Sequence, residues 1–166
     1  SSLRWDERPQ MVTTDMEFPS VAYVWLAQRP LGAKVLYVAE HDGVVEAEDY
    51  VSCIDAGTHL VSIPLVSYRN GARMPVLETV ARARELGARV FVDAYQAAGV
   101  LPIDVQELGC DYLVSGTLKY LLGLPGMAFL YVRGGLMPEL EPRLTGWFGQ
   151  RNPFGFDPRE LAFPDR

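Results

Sequence analysis

Short apolar runs, each followed by a stretch of helical periodicity, set the strongest limit on what this chain can fold into. Val35 to Ala39, Leu60 to Val66, Val90 to Val92 and Met127 to Val132 are almost continuously apolar. Strands of that kind are buried on both faces, as in a parallel sheet with helices on either side. The intervening segments supply the helices. Glu46 to Ile54 brings Ala47, Tyr50, Val51 and Ile54 onto one face, with acids in the first turn where the helix dipole favours them. Pro75 opens a second helix in which Leu77, Val80 and Ala81 share a face and Glu78 pairs with Arg82; Gly87 ends it. Met11 to Thr14 and Tyr112 to Ser115 add strands, and Pro102 begins a short helix. The rhythm predicts an α/β fold with a mostly parallel sheet sandwiched by helices. Beyond Arg133 it dissolves into Gly, Pro and Arg.

A chain of 166 residues suffices for one domain with a real core, and a single domain over residues 1–166 is expected. The first residues read as the tail of a helix, and the last stop without a terminating element. The expectation is therefore a central segment of a larger protein. A net charge of −6 without a basic stripe speaks against a nucleic-acid partner. No apolar run approaches the roughly 20 residues that span a bilayer, and SSLRWDERPQ lacks the charged-then-apolar order of an export signal. Cys53 and Cys110 are too few for a disulfide framework and fit a reducing compartment, so a cytoplasmic location is expected. His41 and His59 do not have the spacing of a metal pair, and no metal is assigned.

The chemistry concentrates in two strand ends. RVFVDAYQAAG (residues 89–99) reads as a buried strand that ends on the Asp93 carboxylate, with the Gln96 amide three residues on. VSGTLKYLLGLPG (residues 114–126) reads as a strand ending in Ser115, Gly116 and Thr117, followed by Lys119 and a tight turn. Ligands of open α/β sheets bind outside the carboxyl ends of strands. A carboxylate and a lysine arriving there on separate strands suit a cationic ring that carries an aldehyde. Pyridoxal 5′-phosphate (PLP) has both: its aldehyde takes a lysine as Schiff base, and its pyridinium nitrogen takes an acidic partner. Each residue also has a plainer use. Lysines are mostly solvated, a strand-end Asp also caps a following turn, and Ser-Gly-Thr also makes an ordinary strand-to-loop turn.

VDAYQAAGVLPIDV together with DYLVSGTLKYLLGLPGMAFLYV resembles the core of the class V aminotransferase-like family of PLP enzymes (fold type I). That family includes cysteine desulfurases, selenocysteine lyases, kynureninases and isopenicillin-epimerase-like proteins. The resemblance runs from about Thr13 to about Asp157 and implies the large-domain portion of that fold. It implies Lys119 as the Schiff-base lysine, Asp93 as partner of the pyridinium nitrogen and Gln96 as donor to the ring's phenolic oxygen. TTDMEFPS (residues 13–20) resembles the stretch that stacks on the cofactor ring, which makes Phe18 the stacking residue. Phe18-Pro19-Ser20 is closer to kynureninases than to desulfurases, which carry a His-His pair there. Tyr68 falls where relatives place a polar residue near the ring oxygen, many of them Asn. Either Ser115 or Thr117 is implied as a phosphate contact. GWFGQRNPFGFD (residues 146–157) resembles a kynureninase stretch in which the Trp147 region reaches the cofactor phosphate of the neighbouring subunit.

What the resemblance implies for function is a PLP-dependent transferase or lyase, working as a homodimer with a shared active site on an amino-acid substrate. A transaminase-, lyase- or kynureninase-like reaction ranks above a desulfurase, mainly because of Phe18 and the GWFGQ stretch (residues 146–150). The family's phosphate-gripping turn and its substrate-carboxylate arginine have no counterpart in these 166 residues. A catalytically incompetent fragment or pseudo-enzyme that keeps only the fold is the alternative. A nucleotide-binding α/β domain ranks below it, since it gives Lys119 and Gln96 no common task.

Overall fold

The apolar runs form a six-stranded sheet in the order β2-β1-β3-β4-β5-β6. Its strands are β1 (Gln10–Thr14), β2 (Lys34–Val38), β3 (Thr58–Pro64), β4 (Arg89–Asp93), β5 (Tyr112–Gly116) and β6 (Ala128–Val132). The computed structural model describes residues 3–136, 146–156, 158–159 and 162–163. Strands β1 to β5 are parallel, with Leu60 opposite Arg89 and Asp93 opposite Val114. Strand β6 returns antiparallel to β5, placing Val132 opposite Tyr112 and Ala128 opposite Gly116. An antiparallel neighbour needs no crossover helix, so the loop that carries Lys119 is enough to connect β5 to β6.

Helices α1 (Pro19–Leu26), α2 (Ala47–Cys53), α3 (Val76–Glu85) and α4 (Val105–Leu108) join the strands. Proline suits the first turn of α1, where the missing N–H has no intrahelical partner to lose. The α1 residue Trp25 is buried edge-on against Phe91, with ring centroids 5.2 Å apart. Helix α2 begins with a reciprocal capping box between Glu46 and Asp49. Helix α3 buries Val76, Thr79, Val80 and Ala83. Beyond its end the Arg8 guanidinium donates to the carbonyls of Leu86 and Gly87 at 2.8 and 2.6 Å. The core lies between these helices and the sheet, where Val12, Tyr50, Val61, Ile63 and Val92 are all sealed from solvent. Burying one such side chain is worth about 1.5–3 kcal/mol.

Three local expectations differ. The helix expected from Pro102 starts at Val105, because the Asp104 carboxylate accepts from the Gln106 and Glu107 N–H groups and caps it there. The described residues before β1 are not helical. Helix α1 was not expected, and only its first two residues, Pro19 and Ser20, fall in the ring-stacking stretch of residues 13–20.

Within the chain two compact units separate. One is Arg4–Arg133 and carries the sheet; the other takes Ser1–Leu3 and Gly134–Arg166. The described part of the second unit has two 3-10 turns, Trp147–Gly149 and Pro153–Gly155, whose Phe148 and Phe154 rings meet edge to face at 6.1 Å.

Candidate functional site

The chain leaves β1 toward β2 on one side, then returns to place β3 on the other. A crevice opens at such a switch point, outside the carboxyl ends of the strands. Here it is a cavity of about 400 Å³. Segments that follow β1, β3, β4 and β5 line it: Glu17 and Phe18, then Val66 and Tyr68, then Asp93 and Gln96, then Lys119. Five sequence-derived candidates, Phe18, Tyr68, Asp93, Gln96 and Lys119, therefore share one cavity.

Asp93 ends β4 and is mostly buried. One carboxylate oxygen accepts the Tyr95 N–H at 2.7 Å, which starts a turn closed by the N–H groups of Ala97 and Ala98 donating to the Ala94 carbonyl. Gln96 sits in that turn and faces the same cavity. Burial pushes the Asp93 carboxyl above its ordinary range, while the Tyr95 N–H opposes the shift. A cation bound in the cavity would favour its charged form again.

Lys119 is exposed at the cavity, on the loop between β5 and β6. Thr117 shapes that loop. Its hydroxyl donates to the Leu124 carbonyl at 2.8 Å, and the Gly123 N–H donates to the Thr117 carbonyl at 2.8 Å. Gly99 lets the loop close in, for a Cβ there would lie 2.5 Å from the Tyr120 carbonyl oxygen. Ser115 is fully buried, and its hydroxyl donates to the Gly116 carbonyl at 3.2 Å. Neither Ser115 nor Thr117 is among the residues that line the cavity.

Phe18 meets Tyr68 edge to face with ring centroids 5.1 Å apart and planes at 88°. The turn that presents Tyr68 is organised by the buried Ser67, whose hydroxyl accepts from the Arg69 N–H at 3.2 Å. Arg69 then donates to the Asp15 carbonyl at 2.8 Å, tying the loop after β3 to the loop after β1. Trp147 opens a 3-10 turn of the second unit, and its side chain lies outside the described residues.

Sequence reasoning passed over Glu17. It is only 4 % exposed, yet it lines the cavity. One carboxyl oxygen accepts the Phe18 N–H at 3.0 Å and the other the Ser62 hydroxyl at 3.1 Å. Burial, then the neighbouring Asp93 charge, push its pKa up to about 7. A carboxylate between Met16 and Phe18, just past a strand end, is a sequence feature, but its burial against Ser62 is not.

The cavity fits a flat cationic ring. Phe18, Tyr68, Val66 and Val114 give it apolar walls, Asp93 offers an acceptor, and Lys119 offers an amine. Among the described residues no group of His, Cys, Asp and Glu could hold a metal ion, and no helix is long and apolar enough to cross a membrane.

Comparisons with known proteins show the family. The family model for aminotransferase class-V matches residues 1–151. An uncharacterized aminotransferase of Bacillus subtilis, YcbU, is 43 % identical over 157 residues, covering 95 % of this chain and 41 % of that protein. Kynureninase of Pseudomonas fluorescens is 31 % identical, covering 94 % of this chain and 37 % of the relative. Among solved structures, the apo cysteine desulfurase from Thermococcus onnurineus NA1 superposes with a TM-score of 0.76 at 32 % identity, over 82 % of this chain and 34 % of that one. The chain thus spans about two-fifths of the length of the curated relatives named here. The sheet, the helices around it and the matched residues lead to one statement: the chain belongs to the aminotransferase class-V family.

Proposed function

We propose that this cavity receives the ring of pyridoxal 5′-phosphate and that the protein is a PLP-dependent transferase or lyase acting on an amino acid. The observation that carries the proposal is the meeting of Lys119 and Asp93 in one cavity with apolar walls. Family membership supports it. When bound, the cofactor supplies an electron sink for carbanion chemistry at the substrate's α-carbon.

The chain's own residues supply the rest. The Lys119 amine would hold the cofactor covalently. Lys119 Nζ would also accept or return the substrate's α-proton. Asp93 would keep the ring nitrogen protonated, since its buried carboxylate would gain a cationic partner there. Gln96 would donate to the ring's phenolic oxygen. Phe18 would cover a ring face, and Tyr68 backs Phe18.

We place the reaction on the kynureninase-, lyase- or transaminase-like side, because an aromatic residue, Phe18, stands over the cavity. The same reading makes the protein a cytoplasmic homodimer, with Trp147 reaching across the subunit boundary. Exposed Phe148 and Phe154 in the second unit are consistent with such a contact.

A spectral titration with PLP tests the proposal. The protein should develop a visible absorbance band that saturates with PLP. Asp93→Ala should weaken PLP binding roughly 10- to 100-fold, the range of a hydrogen bond to a charged group. A folded protein that shows no band, or an Asp93→Ala variant of unchanged affinity, would overturn it.

A further inference from the structure

Glu17 stands out because a buried carboxyl bridging two elements is costly unless its bonds serve something. It follows β1 and immediately precedes Phe18, the first residue before α1. Phe18 has no side-chain cap to fix it. Its backbone N–H instead donates to Glu17 Oε1, and Glu17 Oε2 is held by the Ser62 hydroxyl of β3. Ser62 is itself rigid: it lies within the sheet, is fully buried, and its carbonyl accepts from the Tyr50 hydroxyl at 3.3 Å. The chain of contacts runs from the fixed core, through Ser62 and Glu17, to the backbone of the residue that carries the cavity's aromatic wall. The titratable groups facing Glu17 are Asp93 from β4 and Tyr50 from α2, with Lys119 and Tyr95 on the same cavity.

We propose that Glu17 is a positioning residue for the cofactor ring: its carboxyl ties the Phe18 backbone to Ser62 and thereby sets the Phe18 ring over the cavity. This rests on the PLP reading above, but the tie itself is a property of the protein before any cofactor binds. The chemistry needed is an acceptor toward Phe18 and a partner toward Ser62. Glutamine retains both, because its carbonyl accepts the N–H and its amide donates to the serine oxygen. Alanine retains neither.

Three variants test the tie: Glu17→Ala, Glu17→Gln and Ser62→Ala. In the free protein, hydrogen–deuterium exchange of the peptide spanning residues 15–21 should accelerate in Glu17→Ala. In Glu17→Gln it should stay close to the wild-type rate. With PLP added, Glu17→Ala should lose about tenfold in affinity, the scale of one or two hydrogen bonds. It should also change the sign or size of the cofactor's induced circular dichroism, which reports ring orientation. Glu17→Gln should recover most of both, and Ser62→Ala should fall between. Unchanged exchange and dichroism in Glu17→Ala would overturn the proposal. So would a Glu17→Gln variant as impaired as Glu17→Ala, because charge and not positioning would then be the function. If wild type binds no PLP, the cofactor reading fails while the exchange experiment still decides the tie. If Glu17→Ala does not fold, the comparison of Glu17→Gln and Ser62→Ala with wild type decides it.

Discussion

Phe18 and Tyr68 meet edge to face at 5.1 Å although they follow different strands, β1 and β3. Their contact joins two loops on opposite sides of the switch point and builds one wall of the cavity that also holds Asp93 and Lys119. Aromatic pairs of this geometry contribute about 0.5–1.5 kcal/mol beyond the area they bury.

The first prediction concerns that wall. Phe18→Ala should weaken PLP binding roughly tenfold by removing the covering ring, whereas Tyr68→Phe, which keeps the ring contact, should cost less than about threefold. Fluorescence titration reads both constants. A larger effect from Tyr68→Phe than from Phe18→Ala would show that the Tyr68 hydroxyl, not the paired rings, matters.

Glu17 gives stability a definite dependence on pH. Its carboxyl has an ordinary pKa of 4.5 and is pushed up to about 7 in the folded protein. Well below pH 4.5 both folded and unfolded chains hold the proton, and burial carries no pH-dependent cost. Between the two values the unfolded chain loses its proton while the folded one keeps it, so stability falls as pH rises. Above about 7 the loss is complete and amounts to about 3 kcal/mol at 1.36 kcal/mol per pH unit. Glu17→Gln removes this dependence. Urea unfolding should find it more stable than wild type at pH 8, with the difference vanishing near pH 4. A difference that stays constant across that range would contradict the burial argument.

Asp111 and Arg133 hold the antiparallel edge. Arg133 donates to Asp111 Oδ1 through Nε at 2.9 Å and Nη2 at 2.6 Å, while Asp111 Oδ2 accepts the Val90 N–H at 2.7 Å. Asp111 is nearly buried, so removing it strands the Val90 donor and a guanidinium. Asp111→Ala should cost about 2–3 kcal/mol, the range for losing hydrogen bonds to a charged group. An unfolding free energy that changes by less than about 0.5 kcal/mol would mean that water replaces the carboxylate.

Gly99 has a backbone φ of +92° and a neighbour, Tyr120, that leaves no room for a side chain. Gly99→Ala should push the loop away from the Gln96 turn. Lys119 would then move with it, and PLP affinity should fall by at least about tenfold while the sheet survives. Unaltered PLP affinity would separate the loop's closeness from the site.

The middle strands β1, β3 and β4 were legible because they are mostly buried and need no polar alternation. Val12, Val61 and Val92 are fully buried, as such a run implies. Strand β6 reads the same way, yet Phe129 and Leu130 are exposed, because it forms the sheet's edge. Helix α1 was hidden for a related reason. PSVAYVWL buries Trp25 but exposes Tyr23 and Val24, so no apolar stripe marks one face. Asp93, Gln96 and Lys119 could be named because strand ends must deliver them to one side of the sheet. Glu17 could not, since the feature that matters is its burial against Ser62, a residue 45 positions away. The hydroxyls of Ser115 and Thr117 donate to backbone carbonyls of their own strand and loop, partners that residue spacing does not reveal.

Lys119 is the residue proposed to bond PLP. Borohydride reduction of the PLP-loaded protein, followed by peptide mass mapping, tests it most directly. One pyridoxyl group is expected, on Lys119, and none after Lys119→Ala. A label on Lys34, or an unchanged yield from Lys119→Ala, would contradict it.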